Sequence, residues 1–499
     1  MKKKYVRWTL WTIASPFILF VILCILIYLP PIQNFLVDKA AVYASEATGM
    51  NISVGRISLS FPLNLVVTDV DAASPHNDTL LSVRRLQVNV QLLPLLKKQV
   101  EVDGISLQGA TVNSNDLIHG MKLNGTLGEL FISSHGVALD PETAIVNKVL
   151  LKDTDLSLCL NDTAAVDTAA SDTTYWKIIL QDIDLQNVSF ALDMPLDSLS
   201  LAASLDNAIL RDGLIDLHKS AYSLQTFRIK NGRVRYDSGK PLAADSLPSG
   251  LDPSHIALTD IGVKLDSLYY EGRNMKAIIS QFVLKERSGV EIVSATGRMV
   301  SNDKVLRVPS LKLETRDSYL ELNAAMDWNA LDFKGEGLVS ARLMADIGKP
   351  DVVRFMGRMD EKFVRQYPSE PLRIRTGIDG DLNKLKLTTL TAELPGALGL
   401  FARGELTHLT DSLLRGGDIT LEAETKDLKF VSTLAEGIEI PYGTRLEGKF
   451  TMAGAKMGTD LLLMQPEAQA VAAADTIPIT VYNDSISVAD DFKMERAAR

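Results

Sequence analysis

The stretch Leu86-Gln87-Val88-Asn89-Val90-Gln91-Leu92 alternates apolar and polar residues without a break. Successive side chains of a strand point to opposite faces, so this spacing predicts a strand with one apolar and one polar face. Ile261 to Asp266, Leu320 to Ala324 and Ile419 to Ala423 carry the same alternation. Such strands belong to antiparallel sheet; parallel strands are covered on both faces and read as continuous apolar runs. The period predicts a mainly β chain with few helices. Asn124-Gly125, Asn231-Gly232 and Asp379-Gly380 are expected to supply turns between strands.

A loose repeat runs through the alternation. Ile105, Leu107, Gly109 and Val112 align with Ile183, Leu185, Asn187 and Phe190, and again with Phe227, Ile229, Asn231 and Val234. The last apolar residue of each set lies an odd number of positions past the second, which in an unbroken strand throws it onto the wrong face. Gly and Asn tolerate positive φ, so each is expected to host a bulge or tight turn that restores the inward direction.

The N-terminus reads differently. Trp8 to Val37 carries no charge, and Lys2, Lys3, Lys4 and Arg7 precede it. The run Trp8 to Leu29 is about 33 Å long as a helix, enough for a hydrocarbon core of about 30 Å. The basic flank keeps residues 1–7 in the cytoplasm and sends the rest across the membrane. A cleaved signal peptide is the competing reading, but the run is longer than a signal core and no Ala-x-Ala site follows it. Residues 30–50 read as an amphipathic helix ended by Gly49, and 51–463 as an elongated β domain. The Ala-rich, acidic segment 464–499 loses the alternation and reads as a disordered or atypical tail outside the sheet. Asn161 to Thr174 and Gly239 to Ser254 read as surface excursions or domain boundaries, and Asp351 to Tyr367 as a helix.

Composition excludes several classes. The net charge of -10 argues against nucleic acid. Cys24 lies in the apolar run, leaving Cys159 with no partner for an intrachain disulfide. The 6 histidines are scattered, and no HExxH, GxSxG, GxxxxGK[ST] or GxGxxG occurs. Asp379, Asp381 and Asn383 begin an EF-hand-like spacing that fails at Lys384 and Leu390, so a hairpin turn explains them better. Asp153/Asp155 and Asp182/Asp184 read as a solvated outer face. The expectation is no enzyme, no cofactor and no metal.

A sheet with one apolar face must bury it against itself, against helices or against an apolar ligand. The inward positions are mostly Leu, Val, Ile and Ala, and alternation does not choose between a sealed core and a lipid-lined groove. The opening of the chain, with its basic cluster, apolar span, Leu29-Pro30-Pro31-Ile32-Gln33 and Gly49 to Leu65, resembles the start of the AsmA/TamB family. Val67 to Val70, Asn77 to Leu81, Leu86 to Leu95 and Val102 to Gly109 continue the resemblance, as do Ile378 to Gly396 and Gly404 to Leu413. It covers roughly Met1 to Lys456 and rests on weak signals in order.

The resemblance implies an envelope protein anchored in the inner membrane, single-pass, with its bulk in the periplasm. The implied fold is a long sheet curled into a groove that carries phospholipid tails between the inner and outer membranes. The family's other suggested role is as a scaffold for translocation and assembly of outer-membrane proteins, by strand addition to an exposed edge. An outer-membrane β-barrel protein is the implied partner. The chain departs from the family in that nothing after about Leu463 resembles its C-terminal domain. The lipid-facing positions expected are Leu86, Val88, Val90, Leu92, Ile105, Leu107, Ile183, Leu185, Val263 and Leu265.

Overall fold

The computed structural model describes residues 39, 41–42, 45–46, 48–60, 64–74, 78–91, 102–114, 120–138, 142–161, 175–239, 250–332, 337–357, 359–434, 442–453, 456–464 and 475–482. The apolar run Trp8 to Leu29 and the candidate Leu92 lie outside them. No helix among the described residues is long and apolar enough to cross a membrane. The chain is mainly β with few helices. It divides into Met1–Pro241 and Leu242–Arg499, a boundary inside the segment Gly239 to Ser254.

The first unit holds β1 (Asn51–Ser60), β2 (Asn64–Ala73), β3 (Thr79–Val90), β4 (Val102–Asn113), β5 (Met121–Ala138) and β6 (Thr143–Leu160). There follow β7 (Lys177–Met194), β8 (Leu199–Asp216), β9 (Ala221–Leu224) and β10 (Thr226–Ser238). Helical residues before β1 end at Gly49, whose φ of 68° and N–H bond to the Ser45 carbonyl (2.9 Å) close the turn. Consecutive strands pair antiparallel from β1 to β6. The pair β6–β7 is parallel, with Thr143 opposite Lys177 and Cys159 opposite Asp193. Antiparallel pairing resumes from β7 to β8, and β9 and β10 both lie along β8.

The repeat device is found where the spacing places it. Gly109, Asn187 and Asn231 have φ of 62°, 51° and 53° inside β4, β7 and β10. The expected bulge takes another form, since the register does not shift. Gln108 and Ala110 of β4 face Arg85 and Val83 of β3, so the ladder steps over Gly109 and Arg84 together. The same step runs through Gly55, Asp69, Arg84, Gly109, Gly128, Asp153, Asn187, Asp206 and Asn231, one position per strand. Neighbouring strands break at one level, and none gains a residue on its partner. Along this line Asn187 Nδ2 donates to Asp153 (2.9 Å) and Asn231 Nδ2 to Asp206 (2.8 Å).

The Asn-Gly and Asp-Gly pairs do not form the expected turns. Asn124-Gly125 lies inside β5 and Asn231-Gly232 inside β10. A Cβ at Gly125 would sit 2.2 Å from the Asp155 carbonyl oxygen, so this glycine serves close strand approach.

The second unit is an antiparallel meander. It comprises β11 (His255–Glu271), β12 (Asn274–Glu286), β13 (Glu291–Ser301), β14 (Val305–Thr315), β15 (Tyr319–Asp327) and β16 (Leu338–Ile347). It continues through β17 (Leu372–Asp381), β18 (Lys384–Leu394), β19 (Leu398–Thr407), β20 (Gly416–Thr425), β21 (Arg445–Ala453), β22 (Lys456–Met464) and β23 (Asp475–Tyr482). Here the irregularities are true bulges. Thr388 is the extra residue of β18, and its hydroxyl donates to the Gly377 carbonyl at 2.8 Å. Asp379-Gly380 lies inside β17 just before its last residue, and the turn proper is held by Asp381 Oδ1, which accepts from the N–H groups of Asn383 and Lys384, each at 2.8 Å. The expected departure from the sheet after Leu463 is corrected by β23, which pairs antiparallel with β22. Thr476 to Tyr482 restores β-branched alternation after the Ala-rich run, and a proline such as Pro478 is tolerated at a sheet margin.

The expected helix from Asp351 to Tyr367 is broken in two. After α1 (Trp328–Leu331) come α2 (Lys349–Met356) and α3 (Glu361–Gln366), separated at Gly357 with φ 74°. Asp351 is buried and fastens α2 to the β14–β15 turn through Thr315 and Ser318 (2.6 Å), and Arg354 of the same helix donates to both Asp351 (3.1 Å) and Asp317 of the turn (2.9 Å). On α3, Phe363 packs with Tyr367, Leu394, Ala397, Leu428 and Phe430. Ring centroids 5.1–5.8 Å apart join Phe363, Tyr367 and Phe430.

Two substitutions test this account. Asn231→Val should destabilise by about 1–2 kcal/mol in urea titrations, because a β-branched residue resists positive φ, while Asn231→Gly should be near neutral. Phe363→Ala should cost about 3–5 kcal/mol, seen as lost hydrogen-exchange protection around α3 and Leu428 to Thr433.

Candidate functional site

Strand pairing and the line of breaks together decide which side chains share a face. In β10, Arg228 and Lys230 are exposed before Asn231, and Arg233 and Arg235 are exposed after it. The odd spacing across Asn231 shows that the break resets the alternation. Phe227 and Ile229 therefore share a face with Val234. The same reset joins Leu185 to Val188 and Phe190, Leu107 to Ala110 and Val112, and Leu86 to Val83 and Leu81.

On that face, one cross-strand row runs Ile57, Val67, Leu86, Leu107, Leu130, Leu151, Leu185, Ala208, Ile229. The adjacent row runs Leu59, Leu65, Val88, Ile105, Ile132, Val149, Ile183, Leu210, Phe227. Six of the expected positions fall on these rows: Leu86, Leu107 and Leu185 on the first, Val88, Ile105 and Ile183 on the second. Val90 extends the same face of β3, two positions beyond Val88. At a strand spacing of about 4.8 Å each row spans about 38 Å.

The second unit repeats the arrangement. Val263 begins the row Val263, Phe282, Ala295, Leu313, Leu320, Ala345, Ile374, Ala392, Leu400, Ala423, Leu446. Leu265 begins the next, which runs Ile279, Gly297, Leu311, Leu322, Leu343, Thr376, Leu390, Ala402 and Leu421 and so is interrupted at Gly297 and Thr376. Sequence reading found the two entry points and missed the rest, because a row is a property of register and leaves no mark in any single strand.

Burial separates an open wall from a core. The fully buried members of the rows are alanines: Ala208, Ala295, Ala345, Ala402 and Ala423. Larger neighbours shield these small groups from the side. The Leu, Ile and Val side chains themselves remain half-buried, and Ile105 and Phe190 are exposed. Among the described residues, the cluster around Phe363 seals several large apolar groups together, while Leu80, Val83, Val290 and Val339 are buried outside it. A side chain covered by a second layer would be buried, so these rows are an uncovered apolar surface.

Charge is kept to the other face. Asp184 accepts from Asn207 at 3.1 Å, and Arg211 lies 3.6 Å from Asp182. Hydrogen bonds to Glu271 and Glu321, two residues along the same strand, raise the Tyr269 and Tyr319 phenols above their ordinary range. Burial alone raises the Tyr367 phenol. No group of His, Cys, Asp and Glu that would hold a metal occurs among the described residues. Asp153 is not a plain outer-face carboxylate, since it stands on the break line at φ 49°.

These features define a class in general terms: a mainly β chain with an uncovered, charge-free apolar face. Set against family models, curated proteins and solved structures, the chain matches none.

The face is testable directly. The native chain should bind a naphthalene-sulfonate dye without unfolding, and Leu107→Lys or Leu151→Lys should weaken the signal. Gln87→Lys, on the polar side of β3, should leave it unchanged. Equal dye binding by all of these variants would place the accessible apolar surface elsewhere.

Proposed function

We propose that the chain is an inner-membrane-anchored periplasmic protein of the AsmA/TamB type that carries phospholipid between the inner and outer membranes. In this reading the sheet curls so that its apolar face becomes a groove. The observation that carries the reading is a pair of apolar rows in each unit, unbroken in the first and interrupted at Gly297 and Thr376 in one row of the second, and left uncovered by protein. Residues 8–29 are the anchor, and the work requires no catalytic residue and no cofactor.

The physics of transport follows from the wall. Each acyl CH₂ taken from water onto Leu, Val and Ile gains about 0.8 kcal/mol, so lipid tails are held strongly. Neighbouring positions along a row offer nearly the same surface, so a small step along it changes the free energy little. Head groups stay in water at the groove mouth, which is consistent with polar residues being confined to the other face of the strands.

The test is phospholipid bound to gently purified protein, counted by mass spectrometry. Wild type should carry lipid in stoichiometric amounts. Val88→Asp and Leu185→Asp should remove most of it while the melting temperature stays close to wild type, since both side chains are half-exposed. Lipid retained at wild-type levels in both variants would falsify the proposal.

A further inference from the structure

We infer that one rim of the second unit is a bilayer-docking edge, with Leu413 and Leu414 as its inserting residues. This deepens the lipid-carriage reading, on which it rests, by naming where the chain meets a membrane. The turns β11–β12, β13–β14, β15–β16, β17–β18 and β19–β20 all fall at this rim, because consecutive antiparallel strands return to it. At the opposite ends of the strands lie α2, α3 and the sealed cluster around Phe363.

The rim differs from an ordinary set of polar turns. Leu413 is 84% exposed, Leu414 64% and Leu338 61%. Leu338 opens β16, about 15 Å along the rim from the β19–β20 loop by strand spacing. Farther along, the Trp328 indole donates to the Asn302 carbonyl (2.7 Å) beneath the Arg273 guanidinium, which lies 5.1 Å from the ring centroid. Tyr270, three residues before Arg273 at the end of β11, is also exposed. Aromatic residues with a satisfied polar end, next to cations and protruding leucines, are the side chains that favour a membrane–water boundary.

The loop is also built to leave water. The N–H groups of Leu413 and Leu414 both donate to Asp411 Oδ1, at 2.8 and 3.2 Å, and Arg415 N–H donates to the Asp411 carbonyl at 2.8 Å. His408 and Leu409 N–H groups donate to the Asn383 and Leu382 carbonyls at 3.0 and 2.8 Å, tying the loop to the neighbouring turn. Entering the interface therefore buries two leucines whose N–H groups already have a protein partner, which lowers the usual penalty for inserting a loop. Arg415 follows at once and would meet the phosphate level.

The experiment uses the full chain reconstituted in vesicles of phosphatidylethanolamine and phosphatidylglycerol, mixed with protein-free vesicles of the same composition. Wild type should cluster the two populations by light scattering. Leu413→Ser with Leu414→Ser should raise the protein density needed for clustering about tenfold, given the apolar area removed. Phe355→Ser with Met356→Ser, exposed residues of α2 at the opposite rim, should not. Bound phospholipid is counted in the same samples. Loss of clustering with lipid retained supports the docking edge. Unchanged clustering in the Leu413/Leu414 variant overturns it, as does loss of clustering in the α2 variant instead. A shift in the oligomeric mass of the detergent-solubilised chain on the Leu413/Leu414 change would assign the leucines to a second copy and also overturn it. A wild type that clusters vesicles but holds no lipid would reject the carriage reading and leave the docking edge standing.

Discussion

The structure depends on one geometric constraint: side chains alternate across a strand with a period of two, and a face that is to stay apolar must never lose step. Long strands make this hard to sustain, because the right-handed twist accumulates and must be relieved. In β1 to β8 and β10 the relief is shared. One position per strand is given to Gly, Asn, Asp or Arg, and these positions fall on a single line across the sheet. The break costs the face nothing, since the alternation resets in every strand at the same level.

This explains why the break-line residues are of two kinds. At positive φ stand Asp69, Gly109, Asp153, Asn187 and Asn231, types that adopt the left-handed region with least strain. Between them stand residues at ordinary φ, among them two glycines and Arg84, which lies across Gly109. The parallel pair β6–β7 puts Asp153 and Asn187 side by side, both at positive φ and joined by a hydrogen bond. The second unit solves the same problem with separate bulges. The row that begins at Val263 nonetheless stays apolar from β11 to β21, while its neighbour is interrupted at Gly297, Thr376 and Gly448.

An uncovered apolar face is a liability in water, and its persistence over both units gives the functional reading its weight. A folded chain that merely needed stability would close such a face on itself. Here large side chains are sealed around Phe363, where α3 and the segment Leu428 to Thr433 pack over the β18–β19 turn. That cluster closes one rim of the second unit, while the other rim projects leucines on an internally bonded loop.

Much of this was legible before any coordinates. Alternation at Leu86 to Leu92 declared strands with one apolar face, and the odd spacing around Gly109, Asn187 and Asn231 declared breaks that reset it. Both are local facts, written in the steric preferences of single residues and their neighbours. The tertiary structure decided what depends on register between distant segments. It turned Asn124-Gly125 from a turn into a close-approach position, made β6 and β7 parallel, split the expected helix at Gly357 and drew β23 into the sheet. It also aligned isolated leucines into rows and left those rows uncovered. A strand's own sequence specifies which way its side chains point; only its partners specify what they point beside.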